Sequence, residues 1–229
     1  MNADLTGALW LVVTVAVYAV ARAMYARVRM SLLNPALVTI VVVIGLLRLT
    51  GTEWTAYDRG GHLIAFWLGP AVVALGVPLA LQLATVRRNV VGIATALLAG
   101  ALVGMLVAVG VAWLLGAPPV VVRSLAPRSA TSSIAIAITT RLGGIPALSA
   151  VVSIVTGAIG AGLGVALLRL VGVRSALATG LALGAAAHGF GTARAADEGE
   201  VEGASAGMAM GVVGVLTALL APVVVAVFR

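Results

Sequence analysis

The sequence predicts an all-α integral membrane protein, on three observations. Only 9% of the 229 residues are charged and 62% are hydrophobic, with a mean hydropathy of +1.19. A soluble domain carries about 25% charged residues, so this chain has too few polar side chains to cover itself in water. The apolar runs are also continuous over about twenty residues, the length that crosses a hydrocarbon core as a helix, whereas barrel strands alternate over about ten. Finally, no gap between runs is long enough to fold as a soluble domain, the longest being LRLTGTEWTAYDRGGH at 47–62. A single membrane domain over 1–229 is expected, with about seven or eight hydrophobic segments.

The segments are 5–21, 32–47, 63–86, 89–117, 120–140, 145–168, 175–193 and 203–228. The first has only Asp4 and the amino terminus before it as charges and lacks a small-x-small cleavage site, so it is a retained helix rather than a signal peptide. The second opens on Asn34-Pro35. The third is interrupted by Gly69-Pro70, Gly76 and Pro78. The fifth is interrupted by Pro127 and is rich in hydroxyls at Ser129, Thr131, Ser132 and Ser133. The seventh ends in Gly189-Phe190-Gly191. These four irregular places fall as two pairs, one in each half of the chain. Irregular backbone at membrane depth persists where it is buried in protein or lines a wet cavity, and paired interrupted helices point to a transporter's midplane site. Broken or re-entrant helices in two corresponding halves are therefore expected. Gly100/Gly104, Gly160/Gly164, Gly180/Gly184 and Gly203/Gly207/Gly211, with Gly214 one turn on, place small residues on one helix face. Such stripes let another helix approach closely, from the same chain or from a second copy.

The net charge of +7 comes from fourteen arginines without a lysine. Arg22, Arg27 and Arg29, Arg87 and Arg88, and Arg169 and Arg174 form basic loops that belong on the cytoplasmic side. They are all inside only if one segment between 117 and 168 enters and leaves on the same face, and 120–140 is the best candidate. That topology places the acidic stretch 197–202 outside. A nucleic-acid partner is excluded, because no soluble basic face exists. The absence of cysteine excludes disulfides, thiolate metal sites and cysteine nucleophiles. Two histidines, His62 and His188, are too few for a metal site. GFGTAR at 189–194 lacks the third glycine and the strand of a dinucleotide loop, and no Gly-x-Ser-x-Gly elbow occurs. No catalytic residues, metal or cofactor are expected.

What remains is anion handling. A half-helix starting near Thr192 would turn free N–H groups and its positive dipole end toward the break at Gly189–Gly191. His188 lies one turn before Thr192, and Arg194 offers a planar clamp for a carboxylate. Ser129, Thr131, Ser132 and Ser133 follow Pro127 and suit the cap of a second half-helix. With Asn34, these groups suit a small organic acid. Competing readings exist: Arg194 pairing with Asp197 or Glu198 one turn on, and hydroxyls bonding back to their own helix.

Ordered motifs then carry a resemblance. Asn34-Pro35, LGPAVVALGVPL at 68–79, PRSATSSIAIAI at 127–138, GGIPALSA at 143–150, AAHGFGTARA at 186–195 and GMAMGVVGVLTALLAPVV at 207–224 together resemble the LrgB family of bacterial membrane proteins. Arg128 stands where that family commonly has lysine, and Ser133 where it has proline. The resemblance implies a multi-pass protein of the bacterial cell membrane and a small holin-like partner of the LrgA/CidA type. It implies two functional traditions: control of murein hydrolase activity and autolysis in an antiholin-like role, and transport of small monocarboxylates. The latter is the role of the plant plastid glycolate/glycerate translocator that the family resembles, and bacterial relatives are linked to pyruvate. Two broken helices with convergent polar groups favour a carrier of glycolate, glycerate, pyruvate or lactate, proton-coupled through His188.

Overall fold

A computed structural model describes residues 3–28, 35–67, 70, 80 and 83–228. It comprises two compact units, Met1–Ala74 and Leu75–Arg229. The described elements are all α-helices.

The first unit holds α1 (Ala3–Val28), α2 (Pro35–Thr50) and α3 (Trp54–Phe66). Helix α1 packs against both others. Gly7 and Gly60 let α1 and α3 touch backbone to backbone, and a Cβ on Gly60 would overlap the Gly7 carbonyl. Most of the gap expected at 47–62 is therefore helical. The Glu53 carbonyl accepts from Ala56 N and Tyr57 N at 3.1 and 3.3 Å, which starts α3. Tyr57 then seats against Trp10 of α1, with ring centroids 6.1 Å apart. Asn34, Gly69, Gly76 and Pro78 lie outside the described residues.

The second unit holds α4 (Leu83–Arg88), α5 (Val90–Leu114), α6 (Pro119–Leu125), α7 (Ser132–Leu142), α8 (Pro146–Leu170), α9 (Ala176–Glu198) and α10 (Glu200–Val227). Four described helices are long and apolar enough to cross a membrane: Leu5–Arg27 within α1, and α5, α8 and α10. On α5, Ile93, Leu97, Ala101, Met105, Val109 and Ala112 form one buried stripe, packed in a common core with Val213, Ala221, Val224 and Val225 of α10. The opposite face shows Val103, Val107, Val111 and Leu114 to the surroundings. In water such a face would expose a large apolar patch; in hydrocarbon it is matched to its solvent. Trp113 and Phe228 stack edge to face at 6.0 Å, so α10 ends beside the end of α5.

Two stretches fold back on themselves. Between α5 and α8 the chain forms α6, an irregular connection at 126–131, and α7. Ile145 N donates to Ser124 Oγ at 2.7 Å, so the chain beyond α7 returns to the end of α6. Gly144 makes this return possible, because its missing Cβ would lie 2.7 Å from Thr139 Cγ2 and 2.8 Å from Ser124 Oγ. Gly143, at φ 68°, closes α7, and Pro146 opens α8, where a missing N–H costs nothing.

The second folded stretch is α9. His188 inside it has φ 40° and ψ −124°, which is not helical. A Cβ on Gly191 would overlap the Leu183 carbonyl, although eight residues span about 12 Å along a straight helix. Thr179 and Glu198 line one cavity, although 19 residues span about 28 Å. The chain thus reverses at His188, and both ends of α9 lie beside the end of α8. The ion pair between Arg169 and Glu198, at 2.7 Å, fixes that closure. The expectation that 197–202 lies across the membrane from Arg169 is therefore corrected. It took 175–193 for one straight crossing, and the break at His188 returns the chain to its starting end.

The tightest helix contacts also differ from expectation along α10. Gly203 meets Ala196 and Gly214 meets Ile134, each with a Cβ distance of 3.0 Å, but Gly211 has nothing within 4 Å. In this unit the closest approaches between helices are made by glycines of α9 on α10, followed by glycines of α8 on α9. A Cβ on Gly160 would lie 2.6 Å from Ala187 Cβ, and one on Gly184 would overlap the Ala206 backbone.

Candidate functional site

The backbone break is at His188 itself, one residue before the glycine pair that suggested it. Its φ/ψ is that of a turn position where glycine is preferred. A residue with a Cβ there stores roughly 1–3 kcal/mol of strain, and such strain collects at functional sites. The surroundings hold the ring in place. His188 is 3% exposed, its Nε2 lies 2.9 Å from the Ser153 carbonyl, and Phe190 stacks on it edge to face at 6.1 Å. An atom facing a carbonyl oxygen must carry the proton, so Nε2–H donates, leaving Nδ1 as the acceptor of the neutral ring. Gly157, one turn beyond Ser153, makes the space: a Cβ there would lie 2.6 Å from His188 Cε1 and 2.8 Å from Phe190 Cδ2.

Ser153 joins this break to the other one. Its hydroxyl, fully buried, donates to the Ala130 carbonyl at 2.5 Å and lies 3.3 Å from His188 Nε2. Ala130 belongs to the 126–131 connection. One residue of α8, through its hydroxyl and its carbonyl, thus bonds both irregular segments. Pro146 and Leu170 end α8, which places Ser153 and Gly157 about 10 and 16 Å along a helix of about 37 Å. The junction is inside the bundle, away from both ends.

The hydroxyls divide between cap and self-bonding roles. Thr131 is the N-cap of α7 and accepts from Ile134 N at 3.5 Å. Ser129 Oγ is beside Gly104 of α5, 3.7 Å from where a Cβ would sit. Ser132 is half-buried in the first turn of α7 and Ser133 is exposed. Thr192 donates back to the His188 carbonyl at 2.9 Å, in the manner of an ordinary membrane-helix threonine. Gly189 is exposed, whereas Gly191 is buried against the first half of α9. Arg194 lies at the far end from the break and donates to Glu198, which also holds Arg169. Asn34 lies outside the described residues.

Three residues at or near the junction, Ser153, Gly157 and Arg128, were not among the site residues expected from sequence. Ser153 and Gly157 continue a four-residue spacing from Ser149, a small polar face inside an apolar run. Arg128 was noted only for its difference from lysine. An arginine beside a proline within an apolar segment is itself a signal, since intramembrane charge is expensive and usually functional.

These features define a polytopic helical membrane protein in which two backbone breaks are hydrogen-bonded together inside the bundle. The chain belongs to the LrgB-like family, whose profile matches residues 14–227, and is a multi-pass bacterial membrane protein. It is 35% identical over 191 residues, 83% of each chain, to proteins named antiholin-like protein LrgB from Bacillus cereus (strain B4264) and Bacillus anthracis (strain A0248). No solved structure matches it.

Proposed function

We propose that this protein carries small monocarboxylates of the glycolate, glycerate, pyruvate or lactate type across the bacterial cell membrane. The observation that carries the reading is the junction Ala130–Ser153–His188, where two backbone breaks are hydrogen-bonded together inside the helix bundle. A bilayer offers no partner to freed backbone groups, so breaks at depth are retained where they face a polar ligand or cavity. In this reading α5 and α8 each cross the bilayer and are each followed by a segment that dips in and returns, 119–142 from one face and 176–198 from the other. Crossing-plus-re-entry, repeated in opposite sense, is an inverted arrangement of the kind that builds a midplane substrate site. It keeps Arg87, Arg88, Arg169 and Arg174 together on the cytoplasmic side. His188 is the group that responds to protons, Thr131 and the first N–H groups of α7 supply neutral donors, and the family-wide match supports the whole chain acting as one domain.

The test is uptake of labelled pyruvate, glycolate, glycerate and lactate by proteoliposomes, with and without a pH gradient. Uptake of none of the four defeats the proposal. The second reading is an antiholin-like role with a small LrgA/CidA-like membrane partner, and the names of the relatives favour it. A strain lacking this chain whose autolysis control is restored by a variant shown to be inactive in uptake would establish that reading instead.

A further inference from the structure

Arg128 sits at the tip of the first folded-back segment, between Pro127 and Ser129. Its Nε and Nη2 donate to the Gly104 carbonyl at 3.2 and 3.1 Å. Gly104 is ten residues from Leu114, where α5 ends, or about 15 Å along the helix. That depth is about half of a 30 Å hydrocarbon core. Two residues further, Ala130 joins the Ser153–His188 junction.

The Gly104 carbonyl is neutral, so it orients the guanidinium without compensating its charge. The ion pairs described in this unit join Arg169 and Arg194 to Glu198. The acids of this unit, Asp197, Glu198, Glu200 and Glu202, all fall at the junction of α9 and α10, near the end of α8. Arg194, on the second folded-back segment, already has its carboxylate. A half-buried cation at mid-depth without a carboxylate on it is costly, and an anion that enters the site removes that cost. A guanidinium has five N–H groups in a fixed fork. With Nε and one Nη2 hydrogen turned to Gly104, the Nη1–Nη2 edge remains, and that edge matches the two oxygens of a carboxylate. Ser129 Oγ lies against the same stretch of α5, 3.7 Å from where a Cβ on Gly104 would sit, with Arg128 Nη2 at 3.4 Å.

From this geometry we infer that Arg128 is the residue that binds the carboxylate of the transported acid, as a deepening of the transport reading, and that Arg194 instead holds the base of the second folded-back segment through Glu198. The experiment compares wild type, Arg128→Lys and Arg128→Gln in proteoliposomes. Its readouts are inhibition of labelled glycolate uptake by glycolate and by its neutral analogue glycolamide. Glutamine can still donate to the Gly104 carbonyl, so Arg128→Gln removes the charge while keeping that bond. The expected result is that glycolate affinity falls at least about tenfold in Arg128→Gln, with the preference over glycolamide lost, while Arg128→Lys retains the preference. A second measurement needs no variant. Phenylglyoxal modification of Arg128 in the wild-type protein, read by mass spectrometry, should be slowed by glycolate and not by glycolamide. Wild-type-like affinity and charge preference in Arg128→Gln, or labelling at Arg128 indifferent to glycolate, overturns the assignment while leaving transport standing. Absence of uptake by the wild type removes the transport reading, and this inference with it.

Discussion

Replacing Gly157 with alanine tests the junction where it is tightest. The new Cβ would lie 2.6 Å from His188 Cε1 and 2.9 Å from Nε2, against 3.4 Å for ordinary contact. The ring must therefore withdraw from α8 by about 0.8 Å. Its acceptor, the Ser153 carbonyl, is on α8 too, so the 2.9 Å bond stretches beyond the hydrogen-bonding range. Losing that bond costs about 1 kcal/mol, and overpacking adds about 1–3 kcal/mol. Alanine's better helix propensity returns up to about 1 kcal/mol. The net is a loss of roughly 1–3 kcal/mol, or about 3–10 °C in a chain of this size. Gly100→Ala is the control, because nothing lies within 4 Å of its Cβ, and it should be neutral or slightly stabilising. The assay is apparent unfolding temperature in detergent at a fixed scan rate, since such unfolding is generally irreversible. If Gly157→Ala unfolds at or above the temperature of Gly100→Ala, the packing of His188 on α8 is not as described here.

Three further outcomes are expected. His188→Gly should be more stable than His188→Ala by about 1–2 kcal/mol, because both remove the ring and only glycine suits φ 40°; equal unfolding temperatures would argue against a strained break. His188→Gln should abolish the pH dependence of uptake while still binding glycolate, because the ring's described neighbours, Ser153, Phe190 and Gly157, carry no charge; an unchanged pH profile would move proton coupling elsewhere. Arg194→Gln combined with Glu198→Gln should keep glycolate affinity within about twofold of wild type, since Arg194 is engaged by Glu198 rather than by substrate; loss of glycolate binding would return Arg194 to the substrate site.

Much of the architecture was legible because hydropathy is local. The continuous runs at 89–117, 145–168 and 203–228 emerge as α5, α8 and α10. The irregular place at 127–133 was readable from proline and hydroxyls, and Thr131 does cap the helix that follows. At 188–192 the glycines marked the neighbourhood but not the residue. Glycine tolerates a positive φ, yet here the chain places a histidine at the break and uses Gly191 for close approach to Leu183.

Composition and apolar run length by themselves determined that this protein lives in a membrane as helices, since burying unpaired backbone in hydrocarbon leaves little other choice. The ordered motifs determined its family. Only the tertiary structure decided which polar residues meet. Ser153 is 23 and 35 residues from its partners Ala130 and His188, and no local period encodes a hydrogen bond over that distance. Arg194 offered a carboxylate clamp, with pairing to Asp197 or Glu198 as the competing reading, and the structure pairs it with Glu198. The folded-back path of α9 brought Glu198 to Arg169 as well, while Arg128 came to rest against a neutral carbonyl at mid-depth. Charge pairing depends on where the chain turns, and at that turn the His188 ring fits against Gly157 of another helix.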